Sequence, residues 1–280
     1  MRRFRFFLLV GLGLLTSGPV FAEQPGTERF IKENAPPIRE QKEKIYFSSD
    51  YETSWVKLGA RRINWQLFSN RIAYLRHGIQ SPYLQVDQYN RDHNRDTTID
   101  FGSYFRFKNS YGELGTGFGT GVTYIYKFQA TAEFAHRIFK NLFLKDRERF
   151  LRYVVGDTLI SSPGLVYYVG DHYVTADYNI AVTEDRDPAH WVTLKGLYHA
   201  NDYVNLGMGW AFGERLYDIF PIPASGQQSY LFFTRMDLKP FTKLSTRFVK
   251  NMTFQIGYTY GEERPSFASQ SLSFGLSLTF

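Results

Sequence analysis

The sequence predicts an all-β fold, a closed antiparallel barrel that spans a membrane with about twelve strands. Three observations predict it: an alternating C-terminal segment, earlier segments with the same alternation, and an N-terminal segment typical of a secreted precursor. Over 270–280, large apolar residues alternate with small polar ones, which is the two-residue period of a β-strand. As an exposed edge, such a strand would aggregate in water, whereas a barrel closed within lipid has no edge.

The N-terminal segment, 1–22, is organised like a secretory signal peptide. Three arginines precede a short apolar stretch, and Val20-Phe21-Ala22 resembles a small-residue cleavage site. The stretch is shorter than the roughly twenty apolar residues that a membrane-spanning helix needs. We expect cleavage after Ala22, which leaves a polar, flexible lead-in over 23–43 and one barrel domain over 44–280.

Composition indicates the compartment and excludes several kinds of chemistry. The formal net charge is +6, but the three arginines of the signal peptide supply half of it, so the mature chain has no charge excess that indicates nucleic acid. The absence of cysteine suits an oxidising envelope compartment and excludes thiolate catalysis, disulfides and cysteine-ligated metals. With no other clustered metal ligands and no phosphate-binding glycine loop in the sequence, we expect no metal and no cofactor.

Alternation like that of the last strand recurs along the barrel domain. The alternation is clearest over 174–182, 204–212 and 252–260. It also marks 122–129, and we interpret the alternating glycines just before that segment as the entry to a strand. Spanning strands need about nine to eleven residues, and bacterial barrels favour even numbers. Twelve strands fit the segments best, and ten or fourteen also fit. A water-soluble β-sandwich is the competing fold, but the signal peptide and the small-residue inner faces disfavour it.

Connection lengths predict how the barrel is oriented. Long connections over 183–190, 213–229 and 261–269 alternate with tight turns near 170 and 200. Outer-membrane barrels have long extracellular loops and short periplasmic turns, so we expect both termini in the periplasm. Aromatic residues near strand ends are expected to form girdles at the membrane interfaces: Trp55, Tyr83, Tyr198, Trp210, Tyr258 and Tyr260.

The second half of the chain resembles the YaiO family of outer-membrane β-barrel proteins. The segments that carry the resemblance are Val174–Tyr178, the charged loop Thr183–Asp187, Tyr203–Gly213, Ser229–Asp237, Phe254–Tyr258 and the terminal strand, together with Phe134–Phe139. The resemblance implies an outer-membrane location beside envelope-polysaccharide functions, and it implies no catalytic residues. The terminal Phe280 resembles the signal that outer-membrane proteins present to their assembly machinery. The expected partners are therefore outer-membrane lipid, that machinery and a polysaccharide.

Basic residues suggest a function for the lumen, because the alternation of the predicted strands places them on the inner face. The inward bases are Lys57, Arg61, Arg106, Lys108, Lys127, Arg152, Lys195 and Arg235. We expect them to outnumber the inward acids, which include Asp87, Asp177 and Asp237. One interpretation is a salt-bridged plug that fills a narrow barrel. The other is a porin-like basic path that binds or passes an anionic glycan or small anion. Inward aromatic residues could offer stacking surfaces to sugar rings: Tyr104, Tyr168, Tyr173 and Trp191.

A lipid-modifying enzyme, an acyl hydrolase or lipid A deacylase, is the alternative to a barrel without catalytic activity. A serine hydrolase of this architecture needs a histidine next to its nucleophile, and none of the six histidines has a serine two residues away. His136, at the end of a predicted strand, is the one enzymatic candidate. The sequence favours the barrel without catalytic activity.

Overall fold

A computed structural model describes residues 44–280 except 59, 76–79, 92–93, 122–124, 155, 184–186, 215–227, 240–250 and 264–266. The predicted signal peptide and lead-in, 1–43, lie outside the described residues. The described chain forms fifteen β-strands, which are β1 Lys44–Leu58, β2 Arg61–Leu75, β3 Gln80–Arg91, β4 Asn94–Phe107, β5 Ser110–Thr120, β6 Phe128–Arg137, β7 Leu142–Arg152, β8 Asp157–Ser161, β9 Gly164–Val169, β10 His172–Thr183, β11 Ala189–Asn201, β12 Val204–Glu214, β13 Gln228–Leu238, β14 Asn251–Glu263 and β15 Phe267–Thr279.

The strands form one closed antiparallel barrel, as the sequence predicts. Neighbouring strands along the chain pair with each other, except β8 and β9, and β15 pairs with β1 from Thr279↔Tyr46 to Phe267↔Leu58. At the C-terminus the Phe280 N–H donates to the Ile45 carbonyl oxygen at 2.9 Å. Because the first and last strands are joined along their length, the sheet has no free edge.

The barrel has 14 strands rather than the expected twelve, since β8 and β9 occupy one position in the wall. Both halves pair with β7 and β10 in a continuous register, and Pro163 separates them. Proline has no N–H to donate to the ladder, which accounts for the interruption. The ladder otherwise continues through the break, because the Ser162 N–H donates to Arg147 O at 2.7 Å and the Tyr178 N–H to Pro163 O at 2.9 Å.

Of the strand predicted over 122–129, residues 122–124 lie outside the described residues, 125–127 lie in the connection between β5 and β6, and only 128–129 belong to β6. The strands that the local pattern does not mark are β5 and β7. In β5, inward positions such as Gly115 and Gly117 have no side chain to show alternation. In β7, charged residues lie on both faces: Lys145 is buried in the barrel, whereas Asp146 and Glu148 lie on the outer face and are half-buried. A glycine-rich strand and a strand charged on both faces lack the pattern by which strands are recognised.

The outer face of the barrel is apolar and the inner face is largely polar. On β15, Phe274 is 49% exposed on the outside while Ser271 is 1% exposed on the inside, which confirms the predicted faces of this strand. Exposed apolar side chains continue around the barrel on β1, β4, β10, β12 and β14. A belt of this kind is suited to lipid. Across the ranges that the structure describes, no helix is long and apolar enough to cross a membrane.

The two ends of the barrel differ in their connections. We call the end where β1 begins and β15 ends the terminal end. Tight turns at 108–109, 170–171 and 202–203 lie there, together with the longer connection 239–250. The long connections 184–188 and 215–227 lie at the opposite end, as the sequence predicts, but so do the short connections 59–60, 92–93 and 264–266, the last of which the sequence predicts to be long.

Candidate functional site

The lumen is the candidate site, and its two sides carry different side chains. Strands β12, β14 and β15 present mostly glycine, serine and threonine to the interior, including Gly209, Thr253 and Ser277. Strands β2 to β11 present most of the large aromatic and charged side chains. The large groups therefore have room to extend across the lumen toward a wall of small residues.

Glycines also let three inward carboxylates lie flat against the wall. A Cβ added at Gly117 would lie 1.7 Å from Asp100 Oδ1, one at Gly164 would lie 2.0 Å from Asp177 Oδ1, and one at Gly275 would lie 2.1 Å from Asp50 Oδ1. Real Cβ atoms do not approach other atoms so closely. Each of these aspartates thus depends on a glycine in the neighbouring strand.

Substituting Gly117 with valine is expected to displace Asp100 and destabilise the barrel by about 1–3 kcal/mol, the usual cost of overpacking. Asp100 would lose its place beside Tyr126, whose hydroxyl donates to its carboxylate at 2.9 Å. Gly207→Val is the matched control, because a Cβ there meets nothing closer than 3.6 Å. Urea unfolding of both variants in lipid vesicles measures the difference. Equal stability of the two variants would contradict the packing role of Gly117.

Buried ion pairs lie on the inner wall, and two of the three described below join different strands. Lys145 Nζ lies 2.9 Å from Asp177 Oδ1, and the two side chains are 0% and 4% exposed. The Arg147 Nε–Glu133 Oε2 distance is 2.8 Å, and Arg235 Nε lies 2.6 Å from Asp237 Oδ1. Such pairs form because a charge taken out of water needs an opposite charge and hydrogen bonds close by.

Arg71 anchors a second cluster on β2 to β5. Its guanidinium lies 4.0 Å from the centroid of the Tyr83 ring and 3.8 Å from Glu113 Oε1, and it also hydrogen-bonds the Tyr104 hydroxyl. The Tyr83 hydroxyl donates to Glu113 at 2.6 Å. Tyr83 was expected in an interfacial girdle, and the structure corrects this by placing it in the lumen. Trp55, Tyr198, Trp210 and Tyr258 are exposed on the outer face, as expected.

Many of the side chains that point into the lumen are shielded from water. Charged groups inside it are almost fully shielded from water: Asp96, Lys145, Arg149, Asp177 and Asp237 are each at most 3% exposed. The aromatic candidates Tyr104, Tyr173 and Trp191 are also buried there, and Tyr168 packs 5.5 Å from the Phe143 ring. Such shielding is what the plug interpretation expects of the inward charges.

The basic candidates do not form one surface. Lys195 and Arg235 lie within the lumen, and three others have the inward phase but lie toward its mouths: Arg61 and Lys127 at the opposite end and Arg106 at the terminal end. Lys108 is exposed in the β4–β5 turn. The inward orientation expected for Lys57 and Arg152 is wrong. Both lie on the outer face at strand ends, where Arg152 forms an exposed, bidentate pair with Asp157 at 3.0 Å.

The structure shows more inward charges of both signs than strand phase predicts, and the bases Arg71, Arg91, Lys145, Arg147 and Arg149 also face the lumen. Carboxylates that the sequence analysis did not assign to the lumen face inward beside the bases: Asp50, Glu52, Asp96, Asp100, Glu113 and Glu133. These carboxylates were missed because the face on which a side chain lies depends on where its strand begins and ends. The sequence pattern does not fix those strand boundaries, and it does not reveal β5. The lumen is polar and mixed in charge.

His136 lies outside the lumen, on the outer face near the terminal end. Its Nδ1 is 2.8 Å from the Oγ of Ser110, the residue directly opposite it on β5, and its ring stacks on Phe134. Ser110 is the functional candidate that sequence reasoning missed, because the two residues are 26 positions apart and meet only through strand pairing. Among the described residues, no group of three histidine or acidic side chains could hold a metal ion.

Comparisons with known proteins support the fold alone. No protein-family model matches the chain. No curated protein matches its sequence. A bacterial polysaccharide outer-membrane secretin is similar in structure, with a TM-score of 0.55 and 9% identity over 84% of this chain and 97% of that one. A FadL homologue of Pseudomonas aeruginosa has a TM-score of 0.52 at 8% identity, covering 86% and 90% of the two chains. The TodX deltaS2S3 mutant, a monoaromatic hydrocarbon channel, has a TM-score of 0.51 at 9% identity, covering 86% and 91%.

Proposed function

We propose that the chain is an outer-membrane conduit for a polar solute, an anionic or carbohydrate molecule, and that its own ion pairs close the lumen at rest. The observation that carries this proposal is the pairing of buried charges inside the barrel, as in Lys145–Asp177 and Arg147–Glu133. Buried ion pairs add little net stability compared with apolar packing of the same volume. A lumen that had only to be filled could therefore be filled with apolar side chains.

Paired charges offer what apolar packing does not, because each partner can be exchanged for a group on a solute. An anionic sugar could take the place of Glu133 beside Arg147, or of Asp237 beside Arg235. The inward aromatic rings would supply faces for the apolar side of a sugar once the pairs separate. The name of the polysaccharide secretin is consistent with a solute of this class, and so is the resemblance of the second half of the chain to the YaiO family.

The proposal includes the orientation that the sequence predicts. The terminal end would face the periplasm, so the long connections near 184–188 and 215–227 would face the outside. The terminal strand and Phe280 would be read by the assembly machinery during insertion. Protease accessibility of these connections in intact cells tests the orientation independently of the lumen.

Charge changes in the lumen are expected to weaken the binding of anionic oligosaccharides. The test variant is Lys127→Glu/Lys195→Gln, which alters two inward positions, and the matched control is Lys57→Glu/Arg152→Glu, which alters two outer ones. The carboxylate introduced at position 127 would repel an anionic oligosaccharide, and the ammonium group removed at position 195 could no longer pair with it. The test variant should therefore bind an anionic oligosaccharide at least about tenfold more weakly, a difference of about 1.4 kcal/mol. Binding of a neutral oligosaccharide should change little.

Conductance in a planar bilayer with each oligosaccharide gives the measurement. We expect the folded barrel to conduct weakly at rest and to respond to the anionic sugar. A folded barrel that neither conducts nor binds either sugar would overturn the proposal. Equal loss of anionic binding in the inner and outer variants would assign the binding to the surface instead of the lumen.

A further inference from the structure

The outer wall of β4 to β7 contains a row of side chains that the conduit does not use. Strand pairing places Phe107 beside Ser110, Ser110 beside His136, and His136 beside Leu144. All four lie on the outer face, close to the terminal end. The row therefore has a hydroxyl and an imidazole at its centre and an exposed apolar side chain on each side, with Phe107 and Leu144 each 51% exposed.

We propose that Ser110 and His136 are a nucleophile and general base that cleave an acyl ester of membrane lipid. Their separation of 2.8 Å between Oγ and Nδ1 is a hydrogen bond, and it is the contact through which a base activates a serine. In the tautomer with its hydrogen on Nε2, His136 accepts the hydroxyl hydrogen at Nδ1. The ring is held against Phe134, with centroids 6.4 Å apart and planes 11° apart.

The surroundings fit a lipid ester. Beside the pair, Phe107, Leu144 and Phe139 expose apolar surface that can lie along acyl chains. Closer to the terminal end than the pair, Lys108 and Lys140 are exposed in the β4–β5 and β6–β7 turns, where they can contact the phosphate of a lipid headgroup. Ester carbonyls lie between these two regions of a lipid leaflet, so a lipid bound with its chains on the apolar surface and its phosphate at the lysines would bring an ester to the row.

The reaction would proceed in two balanced steps. Ser110 Oγ bonds to the ester carbonyl carbon as its proton passes to His136 Nδ1, and the ester C–O bond breaks as that proton passes to the departing alcohol. Water then attacks the acyl-serine, with His136 taking its proton and returning it to Ser110. The products are a fatty acid and a lipid that has lost one acyl chain, and water is the only co-reactant.

Labelling by a fluorophosphonate probe tests the pair, because the probe reacts with an activated serine by displacing fluoride. We expect the folded protein in mixed micelles of phosphatidylethanolamine and phosphatidylglycerol to be labelled at Ser110 and to release fatty acid. Ser110→Ala should abolish both, and His136→Gln should slow both by about 100-fold or more, the contribution of a general base. His190→Gln is the matched control, since His190 also lies on the outer face and hydrogen-bonds a hydroxyl, that of Tyr178, at 3.0 Å.

Three results would overturn the inference: no labelling of the folded wild-type protein, labelling that persists in Ser110→Ala, or equal labelling rates in wild type and His136→Gln. Retention of the compact electrophoretic form identifies the folded variants. The conduit is tested separately, because Ser110→Ala leaves the lumen unchanged and should conduct and bind sugars like the wild type.

Discussion

Replacing Lys145 with alanine is expected to destabilise the barrel by about 3–5 kcal/mol, the cost of leaving one member of a buried ion pair without its partner. Asp177 is 3% exposed and lies behind Gly164, so it cannot turn toward water when the ammonium group is removed. The loss should appear as a lower urea midpoint for unfolding in lipid vesicles, and in the loss of the compact electrophoretic form at moderate temperature.

Two controls distinguish the effect of the unpaired charge on stability from the effect of the lost side-chain volume. Lys145→Met/Asp177→Leu keeps the packing and removes both charges, so it should recover most of the stability. Arg152→Ala removes a partner of the Arg152–Asp157 pair, which is 56% and 38% exposed, and should change stability little because water solvates the remaining carboxylate. If the exposed pair proved as costly to break as the buried one, burial would not explain the role of Lys145.

Placing an arginine at Phe274 is expected to destabilise the barrel by about 2–4 kcal/mol, the cost of a charge on the lipid face near the bilayer midplane. Phe274 lies midway along β15 on the outer face, between Tyr51 and Ile256. Both neighbours are themselves exposed, so the position is surrounded by side chains suited to lipid. Unfolding in lipid vesicles, compared with the wild type, measures the cost.

An arginine placed at Gln270, four residues before Phe274, provides the control for depth in the membrane. Gln270 lies on the same strand and the same outer face but close to the opposite end, where an arginine can reach the interface. Gln270→Arg should therefore cost about 0–1 kcal/mol. Similar costs at the two positions would mean that the outer face does not lie in an apolar medium, and the membrane-spanning interpretation of the barrel would be wrong.

Sequence reasoning predicts the fold well where one face of a strand is apolar and the other is small and polar. The strand β15 shows that pattern throughout, and so do β10, β12 and β14. It fails for β5, where Gly115 and Gly117 leave part of the inner face without side chains, and for β7, where Glu148 lies outside and Lys145 inside. In both strands neighbouring strands, rather than local hydrophobicity, impose the extended conformation.

The site is harder to predict than the fold because side-chain direction depends on strand boundaries. Shifting a boundary by one residue moves every side chain to the other face, which is why Lys57 and Arg152 were assigned to the lumen. The Ser110–His136 contact and the Lys145–Asp177 pair depend on register between strands. A single sequence contains no direct record of that register, so inward acids and cross-strand partners emerge only with the structure.

The pairing of β1 with β15 means that the barrel is a ring in which the chain ends occupy an arbitrary position. A circular permutant that joins the present ends and opens the turn at Gly170-Asp171 would retain every strand neighbour while moving the alternating strand and Phe280 into the interior of the chain. What the ring needs in order to be stable is thus separable from the position of the alternating strand in the chain. The architecture constrains the cyclic order of the strands, and it leaves free the choice of which strand emerges last.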